Sequence, residues 1–188
     1  MGYKVTAEPA AEPVTLNECK LVARLSASGL DTMIETIYIP AARRMCEQRT
    51  GRSLITQTVD KVLDAWPTDG DIRLDYGPVQ TVSEITYLDA DGVAQVVDGA
   101  IYSLDNADAL RPAFVVLVDG QVWPAAGTFA NAITVTYVAG YGDTSDDVPR
   151  ELRLWIMAAV AEMVRSGSPD VKVGFAAGLL DREAMPAV

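Results

Sequence analysis

The spacing of hydrophobic positions changes twice along the chain. Near the start, apolar residues recur at the three- and four-residue spacing of an amphipathic helix. From Ser53 the period falls towards two and β-branched residues become frequent, and after Pro149 the helical spacing returns. This order predicts an α+β protein: a small helical bundle, made of N-terminal helices and a C-terminal helix, with an inserted antiparallel β domain and an extended C-terminal tail.

Helix signals bound the first two helical stretches. Thr15 and Glu18 have capping-box spacing and predict a helix over residues 16–25. Asp31 caps a second predicted helix. Pro40 lies inside that helix and is expected to kink or divide it, because proline removes an intrahelical hydrogen bond. The apolar stripe predicted for the second helix consists of Ile34, Ile37, Tyr38, Ala41 and Met45.

Short strands are predicted throughout the middle of the chain. The sequence "DADG" at residues 89–92 is a turn signal between two of them and predicts a hairpin. The regular spacing of the strands indicates a compact antiparallel sheet or a small barrel. The predicted strands cover residues 54–63, 72–75, 82–88, 93–97, 102–104, 113–118 and 133–139.

The helix predicted after Pro149 is apolar on nearly every side. Such a helix must be covered by its own bundle or by neighbouring subunits. A local concentration of arginines in the second helix fits either an interface that attracts acidic groups or a solvated face. The predicted interface residues are Trp155, Met157 and Val164 of the last helix, Arg43 and Arg44 of the second helix, and Phe175, Leu179 and Leu180 of the tail.

Changes in composition divide the chain into four parts. Glycine and proline mark the joints between them, at Gly51, Gly140, Gly142 and Pro149. The predicted parts are residues 1–13 as an extended N-terminal arm, 14–52 with 147–166 as a helical domain, 53–142 as the inserted β domain, and 167–188 as the tail.

The charge of the chain limits its partners. The formal net charge is -11, and residues 60–120 hold 12 acids and 3 bases. Tight binding to nucleic acid is not expected, because that affinity rests on Lys and Arg. The acids fit either a surface past which DNA slides or the ordinary dispersal of a soluble protein. The longest apolar run, "LWIMAAVA", is far shorter than the ~20 residues that span a bilayer.

Residue chemistry excludes several classes of site. Histidine is absent, which removes His-dependent triads and His-ligated metals. Cys19 and Cys46 lack CxxC spacing and are expected to be buried free thiols of a protein made in a reducing cytoplasm. The segment Gly140-Tyr141-Gly142 follows a strand, but Ser145 replaces the third glycine of a dinucleotide fingerprint. We therefore interpret that segment as a joint and not as a phosphate cradle.

Two further sites receive weak support from the sequence. The Asp-rich segments "DADG" and "DNAD" lack the spacing of a calcium loop and fit turns. Aromatic residues on a β module can line a sugar site, although core packing is the more ordinary use of so few of them. These aromatic residues are Trp66, Trp123, Trp155, Tyr76 and Tyr87.

Five blocks of the sequence stand in a definite order and spacing: "PVTLNECKLVARL", "LDTMIETIYIPAARRMCEQRTGRSLITQT", "GPVQTVSEITYLDADG", "NAITVTYVAGYG" and "VPRELRLWIMAAVAEMV". Together they resemble the tailed-phage head–tail connector, or adaptor, family, which includes adaptors of gene transfer agents. The resemblance covers about residues 13–165. Thr50-Gly51-Arg52 matches the end of the family's second helix, and Gly140-Tyr141-Gly142 with Pro149 matches the return into the last helix. Pro40 and the "SASG" link depart from the family pattern.

The resemblance implies a virion component without catalytic residues, cofactor or metal. Its helical domain forms a ring, commonly of twelve subunits, beneath the portal protein. The ring extends the channel for double-stranded DNA, which passes without specific binding, and provides a platform for a stopper or another neck or tail protein. The tail docks on the portal or an adjacent subunit. Synthesis and assembly in the bacterial cytoplasm, incorporation into the neck of a virion or phage-like particle, and no contact with a membrane are expected.

Two other functions stay open at this point. The first is a different ring protein of the neck or tail, such as a stopper or terminator, which contacts different neighbours. The second is a carbohydrate- or phosphate-handling enzyme, which requires a convergent polar pocket.

Overall fold

The computed structural model describes residues 2–107, 111–167, 178, 180 and 184. The chain divides into two compact units. We name Met1–Glu8 with Thr56–Gly140 the β unit, and Pro9–Ile55 with Tyr141–Val188 the helical unit. The α+β class is confirmed, because the described residues form helices and antiparallel sheets.

The β unit is built from short antiparallel strands. They are β1 (Gly2–Ala7), β2 (Gln57–Leu63), β3 (Ile72–Leu74), β4 (Val79–Leu88), β5 (Ala94–Val96), β6 (Tyr102–Asp105), β7 (Ala113–Leu117) and β8 (Ile133–Ala139). In the described ranges they form a five-stranded sheet of order β1-β2-β8-β4-β5 and a three-stranded sheet of order β3-β7-β6. The hairpin predicted at "DADG" is confirmed, since β4 pairs with β5 across that turn. β2 and β8 alternate between buried and half-buried positions, as strands with one face in a core do.

The first strand corrects the prediction of an extended arm over residues 1–13. β1 pairs with β2, with Tyr3 opposite Lys61, and belongs to the β unit. Tyr3, Val5 and Ala7 alternate with Lys4 and Thr6 at the period of a strand, but this short pattern does not identify the strand with which they pair. Their pairing is therefore set by a strand that lies far along the chain and not by local sequence.

The helical unit contains α1 (Leu16–Ala23), α2 (Asp31–Met33), α3 (Ile39–Thr50) and α4 (Arg150–Ser166). The capping box predicted for α1 is confirmed: the Thr15 hydroxyl accepts from the Glu18 amide at 3.3 Å, and the Glu18 carboxylate accepts from the Thr15 amide at 2.8 Å. A π-helical segment, Ile34–Tyr38, joins α2 to α3, and a 3-10 turn, Ser145–Asp147, precedes α4. Within the described ranges, no helix combines the length and apolar character needed to cross a membrane.

Pro40 neither divides the second helix nor ends it. It lies in the first turn of α3, and the preceding turn widens so that the Ile39 amide donates to the Ile34 carbonyl, five residues earlier. Proline has no amide hydrogen to donate, and the wider π turn accommodates that loss without breaking the chain's helical course.

Candidate functional site

The π segment decides which face of the second helix is buried. Ile34 and Ile39 are five residues apart and both buried, because a π turn contains one residue more than an α turn. Every later buried position is consequently shifted by one residue from the predicted stripe. The fully buried side chains are Ile34, Ile39, Ala42 and Cys46. Of the predicted stripe, Tyr38, Ala41 and Met45 are half-buried and pack against the same core, and Ile37 is exposed.

The same shift creates an outward face on this helix. Ile37, predicted to be in the core, is 55% exposed, and Met33 is 41% exposed. Arg44 is exposed one to two turns further along. Met33 belongs to α2, Ile37 to the π segment and Arg44 to α3.

Helix α4 is buried on one side and partly open on the other. Trp155, Ile156 and Ala159 are fully buried in the core of the helical unit. Trp155 is therefore not available to a partner, which corrects its prediction as an interface residue: the unit's own helices cover it. Leu154 is 40% exposed, and Met157 is half-buried beside it.

The other partly exposed residues of α4 lie on the same side of the helix as Leu154. Met157, Ala161 and Val164 are half-buried, and Arg165 is exposed. Spacings of three and four residues place these side chains near one another along the helix. We name Leu154, Met157, Ala161 and Arg165 the α4 face.

Arg43 is not an interface residue, although its neighbour Arg44 is exposed. The Arg43 side chain is buried and bonds the Glu12 carboxylate through Nε at 2.9 Å and the Glu47 carboxylate through Nη1 at 3.0 Å. Glu47 also accepts from the Leu54 amide at 3.1 Å. Burial raises the pKa of Glu47, while Arg43 and this amide oppose the rise. The network fixes residues before and after α3 to the helix.

Of the predicted joints, Gly140 is the last residue of the β unit, and Gly51, Gly142 and Pro149 lie within the helical unit. Gly51 ends α3 with φ 66°, and Gly140 has φ 141°, both in a region that favours glycine. The Tyr141 amide donates to the Leu54 carbonyl at 3.2 Å, so the outgoing and returning segments are paired inside the helical unit. Pro149 is the N-cap of α4 and so precedes the first helical turn in which it was predicted.

Steric crowding at Gly142 supports the interpretation of Gly140-Tyr141-Gly142 as a joint. A Cβ at this position would lie 2.4 Å from Cγ of Asp147. The Asp147 carboxylate accepts from the amide and hydroxyl of Thr144 at 3.0 and 2.8 Å, and the Thr144 hydroxyl lowers the pKa of Asp147. A carboxylate therefore lies beside the glycines, where a phosphate would have to bind.

The predicted tail residues are only partly described. Leu180 is 5% exposed and packs in the core cluster of the helical unit, so its side chain is covered within the chain itself. Phe175 and Leu179 lie outside the described residues.

The aromatic residues of the β unit pack on each other. Trp66 and Trp123 stack with ring centroids 4.6 Å apart and planes 7° apart. Their indole N–H groups donate to the carbonyls of Pro124 and Gly70 at 2.8 and 2.7 Å. The stacking covers one face of each ring and both indole N–H groups are satisfied, so packing is the better interpretation.

A polar cluster in the β unit was not predicted from the sequence. The Tyr3 hydroxyl donates to the Asp75 carboxylate, Lys61 donates to the Arg73 carbonyl, and Nε of Arg73 contacts Asp75 at 2.7 Å. Burial raises the pKa of Tyr3, and Asp75 raises it further. Burial lowers the pKa of Lys61. These residues come from three separate segments, and no local motif joins them.

The remaining sequence candidates have structural explanations. Asp89 accepts from the amides of Asp91 and Val93 at 3.0 and 2.9 Å, which is turn chemistry. In the described part of the chain, no group of three acidic, cysteine or histidine residues could hold a metal ion. Cys19 and Cys46 are free and buried, as expected, and burial raises the pKa of each thiol to about 12.

Comparison with known proteins adds a fold likeness. No protein-family model and no curated protein matches the sequence. A chain from the neck of an empty GTA particle computed with C6 symmetry has a TM-score of 0.83 and 22% identity to this chain. A chain from the virion of a native gene transfer agent (GTA) particle has a TM-score of 0.83 and 20% identity.

A third structure, the neck of a native GTA particle computed with C12 symmetry, contains a chain with a TM-score of 0.75 and 23% identity. Each match covers 100% of this chain and 97% of the other. The protein therefore has, over its whole length, the fold of chains found in the necks of gene transfer agent particles.

Proposed function

We propose that this chain is a head–tail connector, or adaptor, of a tailed phage or phage-like particle, with a structural and not an enzymatic role. The observation that supports it most is the fold likeness to GTA neck chains, which extends over the whole chain. The sequence blocks that resemble the adaptor family point to the same role independently.

The proposed adaptor is a ring in the neck of the particle. The GTA necks that contain chains of similar fold were computed with C6 and C12 symmetry, which supports a closed ring. We propose twelve copies. The ring binds the portal protein on one side and a stopper or other neck or tail protein on the other. The helical unit forms the ring, and the tail, with Phe175 and Leu179, docks on the portal or on an adjacent copy.

The acidic middle of the chain fits a passage for DNA. Residues 60–120 lie in the β unit and hold 12 acids and 3 bases. Like charge prevents lasting contacts with the phosphate backbone, so DNA moves past such a surface without specific binding. Location of these acids on the outer wall of the assembled ring would contradict this part of the proposal.

The test is negative-stain imaging of the purified protein, alone and mixed with its cognate portal. Closed rings seated on the portal are the expected result. Rings that ignore the portal and bind the tail tube or the next neck protein would indicate a stopper or terminator. A monomer that binds none of these partners but binds glycans or nucleotides would overturn the proposal in favour of an enzyme or ligand-binding protein.

A further inference from the structure

Strand β5 forms an open edge of the five-stranded sheet. It is the last strand in the order β1-β2-β8-β4-β5, and among the described residues it pairs only with β4. The Val97 amide, just after β5, donates to the Ile85 carbonyl of β4 at 2.8 Å. Main-chain groups of an antiparallel strand alternate between its two sides, so those of Ala94 and Val96 are directed away from β4.

The outward side of β5 is uncovered and apolar. Ala94 is exposed, and Val93 and Val96 are 54% and 63% exposed. Within the described ranges, the outward N–H and C=O groups of Ala94 and Val96 have no hydrogen-bond partner. An edge of this kind accepts another strand, whose main chain extends the ladder while its side chains contact those of the edge.

Acidic residues flank this edge. Asp91 lies in the turn before β5 and Asp98 follows Val97, and both are exposed. The sequence between Arg73 and Arg111, which contains β4 and β5, has no lysine or arginine. The lysines of β1 and β2 lie at least three strands away in the sheet, which is about 14 Å at the usual strand spacing. The charge of the edge is therefore complementary to a basic partner.

A second copy of the chain fits this edge poorly. Antiparallel pairing of β5 with β5 would bring Asp91 of one copy close to Asp98 of the other, and like charges disfavour that arrangement. The opposite edge of the sheet, β1, carries Lys4, but Lys4 lies opposite Asp60 in the ladder and the pairing register of β1 shifts near its end. Irregular edges with a lysine discourage the addition of a strand.

We infer that the β5 edge binds an extended, positively charged segment of another polypeptide. The main chain of this segment bonds Ala94 and Val96, and its apolar side chains contact Val93 and Val96. Its lysines or arginines contact Asp91 and Asp98. Because β5 has only three residues, the main-chain bonds are few, and the charges select basic over acidic partners. The inference goes beyond the proposed adaptor role, since it gives the β unit a binding site of its own.

The test measures binding of a synthetic probe by the full chain. The probe is a fluorescently labelled peptide of about nine residues, in which lysines flank alternating threonine and valine. Fluorescence anisotropy should show binding that weakens as salt is added. The same peptide with glutamate in place of lysine should bind at least about tenfold more weakly. A version whose internal amides are all N-methylated should not bind, because it cannot extend the ladder.

Ala94→Pro tests the edge itself. The Ala94 amide faces outward, so proline removes a donor from the open side without removing a bond to β4. Affinity for the probe should fall at least about fivefold, because a hydrogen bond is lost and the proline ring obstructs the added strand. Ala94→Ser keeps the amide and is the matched control. Far-UV circular dichroism of both variants should equal that of the unchanged protein.

Amide hydrogen exchange gives a second measurement that needs no substitution. Bound probe should slow the exchange of the Ala94 and Val96 amides, because both become hydrogen-bonded. The Val97 amide already donates to Ile85 and should change little. This result locates the probe on the edge even if Ala94→Pro does not fold.

A pair of charge variants tests selectivity. Asp91→Asn combined with Asp98→Asn should weaken probe binding about threefold at low salt and reduce its salt dependence. Asp143→Asn combined with Glu151→Gln removes two exposed acids from the helical unit and is the control. That control should bind the probe like the unchanged protein.

The inference is overturned if the probe does not bind at millimolar concentration, if the glutamate peptide binds equally well, or if the probe leaves exchange at Ala94 and Val96 unchanged. Probe binding by folded Ala94→Pro at full affinity would also overturn it. A dimer that Ala94→Pro abolishes would identify a second copy as the occupant and contradict the inference. Portal-bound rings of a protein that ignores the probe would leave the proposed function standing.

Discussion

Tyr3 ties the first strand of the β unit to a distant part of the chain. Its hydroxyl donates to the Asp75 carboxylate, and its ring lies 5.2 Å from Nζ of Lys61 and 5.3 Å from the ring of Tyr76. Burial and the negative charge of Asp75 both favour the neutral phenol and raise the pKa of Tyr3. A raised folded-state pKa makes this contribution to stability complete below the unfolded pKa of about 10 and lost as the pH rises above it.

Tyr3→Phe should therefore have a pH-dependent cost. At pH 7 the substitution removes a hydrogen bond to a charged acceptor and should lower the free energy of unfolding by about 2 kcal/mol. Above roughly pH 10 the unfolded chain of the unchanged protein gains from ionising Tyr3, so the difference between the two proteins should shrink. Urea unfolding at pH 7 and at alkaline pH measures both values.

The control for Tyr3→Phe is already present in the same unit. Burial also raises the pKa of Tyr137, which both proteins retain, so its contribution cancels in the difference. Tyr87→Phe tests whether loss of any half-buried hydroxyl gives the same pattern. If the difference in free energy of unfolding between the unchanged protein and Tyr3→Phe stays constant or grows with pH, the surroundings of Tyr3 do not hold its phenol neutral.

Arg43 and Arg44 show that the burial of single residues could not be predicted from the sequence. Both were predicted to be interface residues, yet one is 3% exposed and the other is exposed. The partner that buries Arg43 is Glu12, which precedes α1 and has no sequence relation to α3. The sequence shows that positive charges are concentrated here, but only the contacts of the folded chain decide which of two adjacent arginines is buried and which is exposed.

At the scale of elements, local signals predicted most of the secondary structure. The alternation of β8 and the turn between β4 and β5 depend on neighbouring residues, and both agree with the structure. The second helix ends at Gly51 as expected, but Asp31 is its first residue and not its cap, because Leu30 is the N-cap and no side chain caps the helix. The phase of the helix depends on how Pro40 is accommodated. An α-helical period cannot reveal a π turn, so the prediction placed Ile37 in the core and missed Ile39.

The connection before α4 depends on a close approach at Gly142. Gly142→Ala would place its methyl group against the side chain of Asp147 and displace a carboxylate that caps the 3-10 turn through Thr144. Overpacking of this kind should lower the free energy of unfolding by about 1–3 kcal/mol. Guanidinium unfolding followed by circular dichroism measures the change.

Gly99→Ala is the matched control for this substitution. A Cβ at Gly99 meets no atom within 4 Å, and the residue lacks a positive φ. The free energy of unfolding of Gly99→Ala should stay within about 0.5 kcal/mol of that of the unchanged protein, as is usual for substitutions at surface positions. Equal stability of the two alanine variants would mean that the close approach at Gly142 does not constrain the connection.

At the scale of the whole molecule, each unit has its own hydrophobic core. The helical unit buries Leu54, Ile55 and Trp155 in one cluster, and the β unit buries residues of β2, β4 and β8 in another. The sequence predicted an insertion because helical patterns flank the strands. It could not place β1, since β2, the first strand of the insertion, determines where residues 2–7 pair.

Separate cores predict that the helical unit folds without the β unit. The Leu54 carbonyl accepts from the Tyr141 amide at 3.2 Å, and Ile55 bridges Gly142, so the ends left by removing residues 56–140 are already adjacent. A shortened chain that starts at Pro9 and joins Ile55 to Tyr141 through a few glycines should unfold cooperatively and show helical circular dichroism. Trp155→Ala in the same chain should abolish the transition, because emptying a buried tryptophan site costs about 3–5 kcal/mol. A shortened chain without any cooperative transition would mean that the helical core depends on the β unit for its stability.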